Sequence, residues 1–246
     1  SDTLTESTES FLVNLANPQG ATLGRGQARG MIADNDTLPA ISLAATEVKV
    51  TEGNTGSAKA VFTVVLSAPS PQPAAVDFST FDGTATAKVD YVPATSTLIF
   101  SPAETSKTIT IEVIGDTLPE ADEGFFVRLN TQFNATLTST QARGLILDDD
   151  AAPSLSIADR TVTEGSSGFA SAALAVSLSA PSGLTVTVDF ATVAGTTAAP
   201  NDFLRATGTL VFNPGETNKT INVSIDGDDL SEAAESLTVV LSNANN

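Results

Sequence analysis

The sequence contains no cysteine, no histidine and no tryptophan, and only one methionine and one tyrosine. Without cysteine there is no disulfide staple and no thiolate ligand. Without histidine as well, the usual ligand sets of zinc, copper and haem are missing. Serine and threonine are abundant, but no imidazole is present to activate them as nucleophiles. Basic residues are also scarce: 11 Lys plus Arg stand against 29 Asp plus Glu, a formal net charge of −18. That surplus opposes binding to nucleic-acid phosphates or to anionic membrane surfaces. Arg25, Arg29 and Arg143 are too few to make a basic patch against it. No uninterrupted apolar run reaches the ~18 residues of a membrane-spanning helix, and no basic-then-apolar leader follows Ser1. Strong helix formers such as Lys, Arg, Gln and Met are few. Thr, Ser, Val and Ala dominate, with Pro and Gly scattered between short apolar runs. This composition predicts an all-β protein.

What the sequence does have is an acidic loop that recurs. Gly115–Phe125 reads GDTLPEADEGF, Gly227–Leu237 reads GDDLSEAAESL, and Ser1–Phe11 reads SDTLTESTESF. The shared pattern is D-x-x-x-E-x-x-E before an apolar run. Glu6 to Glu120 is 114 residues and Glu120 to Glu232 is 112. A fixed period of this size marks tandem domains. Residues 1–36 then hold the last two strands of a repeat, 40–150 a complete repeat, and 153–246 a repeat lacking its last strand. The joints Thr37-Leu38-Pro39 and Ala151-Ala152-Pro153 are short, and each proline restricts its own φ and the residue before it.

Within 40–150 the expected strands are Ile41–Val50 (one strand or a bent pair), Lys59–Leu66, Ala75–Phe81, Thr97–Phe100, Lys107–Ile114, Phe125–Leu129 and Ala142–Leu147. About seven short strands at this spacing predict an antiparallel, immunoglobulin-like β-sandwich. The third repeat matches with Leu155–Val162, Ala172–Leu178, Thr185–Phe190, Gly208–Phe212, Lys219–Ile225 and Leu237–Leu241. The first fragment offers Ser10–Leu15 and Gly26–Ala33. Phe78, Phe100, Phe125, Phe126, Phe190 and Phe212 lie in alternating runs and are expected in the cores.

The acidic residues fall at strand ends. In the middle repeat Glu52, Asp90, Asp116, Glu120, Glu123, Asp148, Asp149 and Asp150 can meet at one pole of a sandwich. Eight carboxylates in so small a volume repel one another, and calcium, which takes 6–8 oxygen ligands, relieves that repulsion. Glu164, Asp202, Asp228, Asp229, Glu232 and Glu235 are the candidates in the third repeat. Asp2, Glu6, Glu9, Asp34 and Asp36 are those of the first fragment. With no nitrogen or sulfur ligand at hand, the expected metal is Ca2+.

The ordered pieces V-T-E-G, D-G-T-A-x-A-x-x-D-Y, F-x-P-x-E-T-x-K-x-I and D-x-x-x-E-x-x-E-x-F, ending in D-D-D, resemble the Calx-β domain over essentially the whole chain. That family includes calcium-binding regulatory domains of sodium/calcium exchangers and domains of many bacterial surface proteins. The resemblance implies tandem seven-stranded sandwiches with calcium in the distal loops. Glu52, Asp90, Asp116, Glu120, Glu123 and Asp148 to Asp150 are then the implied ligands of the middle repeat. Two departures stand out in the third repeat: Asp82-Gly83-Thr84 becomes Ala194-Gly195-Thr196, and the closing acidic triplet is absent.

The expected function is an extracellular or cell-surface calcium-binding array of bacterial type, serving as a stalk, adhesin segment or fibre, with calcium rigidifying the joints. The competing expectation is a calcium-responsive regulatory or ligand-binding module of a larger surface protein. Paired carboxylates can serve glycoside hydrolysis, but here the pairs recur in every repeat among candidate metal ligands, so an enzyme is not expected. Calcium ions are the expected small partner, with no nucleic acid and no membrane insertion. The incomplete end repeats are expected to be completed either by flanking repeats of a longer chain or by head-to-tail copies of the same chain.

Overall fold

The computed structural model describes residues 6–197 and 202–245. Its contacts divide the chain into two compact units. One comprises Ser1–Glu52, Ser57–Gly115 and Glu123–Leu147, the other Gly53–Gly56, Asp116–Asp122 and Asp148–Asn246. Every regular element among the described residues is a strand.

The first two strands, β1 (Glu9–Asn14) and β2 (Gln27–Ile32), form an antiparallel hairpin and a sheet of their own. Their register sets Phe11 opposite Gly30. A Cβ on Gly30 would lie 2.5 Å from the Phe11 ring, so only glycine lets the ring lie across the ladder. The hairpin has no core of its own: Phe11, Leu12, Val13, Met31 and Ile32 are all exposed.

The middle repeat contributes β3 (Ala40–Leu43), β4 (Glu47–Thr51), β5 (Ser57–Leu66), β6 (Ala74–Asp82), β7 (Thr95–Phe100), β8 (Ser106–Ile114), β9 (Glu123–Phe133), β10 (Thr136–Leu137) and β11 (Gln141–Leu147). They form two sheets, in the orders β10-β3-β5-β8 and β4-β11-β9-β6-β7. Ile41–Val50 is thus a bent pair whose halves belong to opposite sheets. Counting that pair as one strand and setting aside the two-residue β10 leaves seven. The inward faces follow the period-2 rule: in β5 Ala60, Phe62, Val64 and Leu66 are buried, and in β8 Ile109, Ile111 and Val113. The core closes around Phe125, with Phe62 edge-on at 6.0 Å and Tyr91 stacked at 4.5 Å. Among the six expected core phenylalanines, Phe78, Phe100, Phe125 and Phe212 are buried, whereas Phe126 and Phe190 are half-buried.

The third repeat contributes β12 (Leu155–Ile157), β13 (Gly168–Leu178), β14 (Val186–Ala194), β15 (Thr207–Phe212), β16 (Asn218–Gly227) and β17 (Leu237–Asn245). They form sheets in the orders β12-β13-β16 and β15-β14-β17, around Val176, Phe203, Phe212, Ile221 and Val223. The expected strand Leu155–Val162 is a correction: it ends at Ile157, and residues 158–163 carry no regular structure. The reason lies in the middle repeat. There the second half of the bent strand, β4, is held by parallel pairing to β11. The described residues of the third repeat offer no counterpart of β11, so the equivalent segment has no ladder to join.

Candidate metal centres

The two acidic segments at the ends of β4 and β11 meet because those strands run parallel and in register, with Thr51 opposite Leu147. Their C-terminal ends therefore point the same way, and the backbone amide of Glu52 donates to the Leu147 carbonyl at 3.3 Å. Glu52 is only 9 % exposed. Glu52, Asp148 and Asp150 each offer one carboxylate oxygen, and these oxygens all lie within 4.8 Å of one another. Asp90, Glu120 and Glu123 form a second such set. Asp90 is fixed from both sides: the Thr86 amide donates to its Oδ2 at 2.6 Å, and its carbonyl accepts from the Ile114 amide at 2.9 Å. Glu123 opens β9.

The remaining carboxylates of this repeat cross-brace the loops. The Leu118 amide donates to Asp116 Oδ1 at 2.7 Å, closing a tight turn. The Glu120 amide donates to Asp148 Oδ1 at 3.2 Å, and the Asp148 amide to Asp122 Oδ1 at 3.3 Å. The Gly53 amide donates to Asp149 Oδ1 at 3.0 Å. Asn54 Nδ2 donates to Asp150 Oδ1. The other oxygen of Asp150, Oδ2, is buried with no hydrogen-bond partner. Loss of hydration lifts the Asp150 carboxyl above the ordinary carboxylate range. The charges of Asp148, Asp149 and Asp116 push the same way, against the Asn54 hydrogen bond. A buried, unpaired carboxylate oxygen among like charges is a place for a cation.

The third repeat rebuilds one of these sets. Asp202, Glu232 and Glu235 bring three oxygens within 4.8 Å. The supporting bonds recur: the Asp226 amide donates to the Asp202 carbonyl at 3.0 Å, and the Leu230 amide to Asp228 Oδ1 at 2.7 Å. Loss of hydration raises the Glu232 carboxyl, helped by Asp228, Asp202 and Glu164. It raises Glu235 too, helped by Asp202, Glu232 and Glu164. Glu164 corresponds to Glu52, but the described residues hold no counterpart of Asp148 and Asp150, so the second set is not formed. Asp229 is exposed beside the Asp228 turn and joins no set.

In the first fragment Asp2 lies outside the described residues. Glu6, Glu9, Asp34 and Asp36 border a hollow of about 320 Å³. The Glu6 amide donates to Asp34 Oδ2 at 3.0 Å and the Asp36 amide to Asp34 Oδ1 at 3.3 Å. These four form no set of three within 4.8 Å. Asp122 and Asn54 are the bracing residues that sequence reasoning passed over. The signal for them was position alone, since Asp122 sits between Glu120 and Glu123 and Asn54 two places after Glu52.

The donor chemistry selects the cation. Two oxygens each about 2.4 Å from one ion stand at most about 4.8 Å apart, and each of the three sets meets that limit. All the donors are carboxylate oxygens, on loops or, for Glu123, on the first residue of a strand, without a nitrogen or sulfur among them. Calcium accepts such flexible, oxygen-only surroundings, whereas magnesium demands a rigid octahedron and keeps its waters.

The Calx-beta domain model matches residues 34–150 and again 148–246. The chain belongs to the Calx-beta family. Sodium/calcium exchanger 2 of Rattus norvegicus is 32 % identical over 189 residues, which is 68 % of this chain and 20 % of the exchanger. The sodium/calcium exchanger Calx of Drosophila melanogaster is 35 % identical over 156 residues, 62 % of this chain and 16 % of that protein. The chain therefore spans about a fifth of the length of these curated relatives. Among solved structures, CBD12 from CALX1.2 is similar at 29 % identity and a TM-score of 0.43, covering 83 % of this chain and 80 % of that one. The two matched copies are Calx-beta domains in tandem, and each contains at least one carboxylate set able to hold a metal ion.

Proposed function

We propose that this chain is part of an extracellular, cell-surface array of Calx-beta repeats that binds Ca2+ at the loop ends of its sandwiches. The ions fix the loops and the short joints that follow them, so the array acts as a stalk, adhesin segment or fibre and catalyses nothing. The repeats are residues 1–36, 40–150 and 153–246. One observation carries the reading: the set Asp90, Glu120 and Glu123 is rebuilt as Asp202, Glu232 and Glu235 in the next repeat. A chance cluster of surface acids has no reason to recur with the same backbone supports. Ligands that abut proline-stiffened joints favour a structural task. A second reading, a calcium-responsive regulatory module, is favoured by the identity to a segment of sodium/calcium exchangers.

Calcium titration by calorimetry, paired with thermal melts, tests the proposal. Binding only to the folded state adds about 2.7 kcal/mol at a hundredfold excess over Kd. Glu120→Gln and Glu232→Gln should each lower the number of ions bound. A melting temperature that is the same in chelator and in millimolar calcium would sink the metal reading. A structural array saturates at extracellular, millimolar calcium, whereas a sensor responds over a micromolar range.

A further inference from the structure

The outer face of the five-stranded sheet in the middle repeat departs from the charge of the rest of the chain. Its register sets Glu47, Arg143, Phe126 and Phe81 side by side across β4, β11, β9 and β6. In the next row Gln141 stands opposite Arg128. On β9 and β11 the alternate residues Phe125, Val127 and Ala142 are buried in the core, so Phe126, Arg128 and Arg143 face outward. Lys49 follows on β4, 3.7 Å from the Glu47 carboxylate. Three cations, Lys49, Arg128 and Arg143, thus meet one carboxylate here, in a chain whose total is −18. Glycines lay the side chains flat. A Cβ on Gly124 would stand 2.5 Å from Arg143 Nε and 2.9 Å from its Nη2, so the guanidinium rests on bare backbone. A Cβ on Gly83 would meet the Phe126 ring at 3.2 Å. Arg128 lies over Phe81, its guanidinium carbon 4.8 Å from the ring centre, and its Nε donates to Gln141 Oε1 at 2.7 Å. Arg143 has a loose partner in Glu47 at 3.6 Å, and Arg128 takes part in none of the ion pairs among the described residues.

Folding does not demand these side chains. In the third repeat β14 pairs with β17 as β6 pairs with β9, and Val193↔Thr238 repeats Phe81↔Phe126. At the 112-residue spacing Phe81, Phe126 and Arg128 become Val193, Thr238 and Val240. The same ladder forms without an aromatic ring or a guanidinium. These groups are therefore an addition to the middle repeat, and Phe81 is left 41 % exposed.

We propose that this face binds a carboxylated saccharide, a glycan of the uronic-acid type. The inference goes beyond calcium binding and does not rest on it. Charge complementarity selects an anion, and the planar fork of arginine pairs with a carboxylate through two parallel hydrogen bonds. The rings select a sugar. Phe126 and Phe81 occupy directly opposed positions, about 5 Å apart at Cβ, and offer apolar surface to the C–H face of a pyranose. An acidic peptide would engage the guanidinium groups and leave the rings idle. Screening at physiological salt limits the reach of a charge to about 8 Å. A short saccharide therefore meets the two arginines ahead of the remaining acidic surface, whereas a long phosphate backbone does not escape that surface.

Chemical-shift mapping on the isotope-labelled full chain, with hyaluronan hexasaccharide as the probe, provides the test, run in calcium and again in chelator. The shifts should cluster at Phe81, Phe126, Arg128 and Arg143 and leave Val193 and Val240 unmoved. Phe81→Val and Arg128→Val install the residues of the third repeat, so the fold should tolerate both. Each should weaken binding about tenfold, and Arg128→Lys should restore only part of it because an ammonium lacks the fork. Neutral cellohexaose and a hexaglutamate peptide should each bind about tenfold more weakly than the probe. Absence of shifts on this face at millimolar hyaluronan overturns the proposal. Cellohexaose binding as well as the probe overturns the acidic ligand, and hexaglutamate binding as well overturns the saccharide in favour of a protein partner. Binding that needs calcium and is unchanged by Arg128→Val also overturns it, because the ions in the acidic loops would then be bridging the probe.

Discussion

At the residue scale, the motif D-G-T-A-x-A-x-x-D-Y turns out to be a device for closing the core beneath an acidic loop. Tyr91 is 1 % exposed, stacks on Phe125 and donates its hydroxyl to Asp82 Oδ1 at 2.6 Å. The same Asp82 oxygen accepts from the Ala87 amide at 3.0 Å. Burial, and after it the hydrogen bond and charge of Asp82, push the Tyr91 phenol far above its ordinary value, so it stays a donor at any ordinary pH. Tyr91→Phe leaves Asp82 one donor short and should cost about 1–2 kcal/mol in urea unfolding. Gly83 is the second device. A Cβ there would stand 2.2 Å from the Gly124 carbonyl oxygen, which is backbone and cannot swing aside. The Ala85 amide uses that same carbonyl at 3.0 Å. Gly83→Ala should therefore cost about 1–3 kcal/mol by overpacking, read as a lower denaturation midpoint at unchanged slope. The spacing of Asp82, Gly83 and Tyr91 was visible in the sequence. What Tyr91 stacks on was not, because Phe125 is 34 residues away in the chain.

At the element scale, alternation made the long strands legible: β5, β6, β8 and β11 begin within two residues of where the pattern placed them. Local pattern failed where pairing depends on a distant partner. Leu155–Val162 has the same apolar signature as Ile41–Val50, yet only its first three residues form a strand, since the described residues hold no counterpart of β11 for the rest to pair with. The acidic loops were legible as clusters, but their division into separate sets was not, because it depends on which strands run parallel. Their protonation gives a prediction. Glu232 and Glu235 titrate above the ordinary glutamate value of 4.5. A carboxyl raised in the folded state binds more protons folded than unfolded, so its contribution is present at low pH and is lost as pH rises through the raised value. Glu104, Asp189 and Glu216 are lowered, mainly by hydrogen bonds from Lys107, Thr209 and Lys219. Their contribution is lost only as pH falls through the lowered values. Between neutrality and the ordinary carboxylate range the raised groups therefore set the sign. In chelator, the melting temperature should climb as pH drops from 7 toward about 5. Glu235→Gln should flatten that rise. A melting temperature that falls steadily over this interval in chelator would contradict the arrangement.

At the scale of the whole molecule, the charge of −18 and the ordering of the joint between the repeats belong to one problem. Asp148, Asp149 and Asp150 run directly into Ala151-Ala152-Pro153, a stretch without regular structure and with both alanines exposed. Asp148 and Asp149 are tied by donors from Glu120 and Gly53. These bonds hold the triplet while it carries three like charges, one of them with a buried, unpartnered oxygen. A cation shared by Glu52, Asp148 and Asp150 would remove that repulsion, and on the function proposed above it would hold the first residues of the joint. Without the cation the triplet must either take up protons or move apart, and the nearest chain able to move is the unpaired stretch at 151–153. Elastase, which cuts after small residues, should therefore cleave at Ala151 or Ala152 readily in chelator and at least tenfold more slowly in millimolar calcium. Asp150→Asn should abolish most of the calcium protection while leaving the Asn54 contact possible. It removes the carboxylate charge next to the joint and keeps an oxygen acceptor in its place. Equal cleavage rates with and without calcium would show that the joint is uncoupled from the site. Protection that survives Asp150→Asn would move the decisive ligand to Glu52 or Asp148.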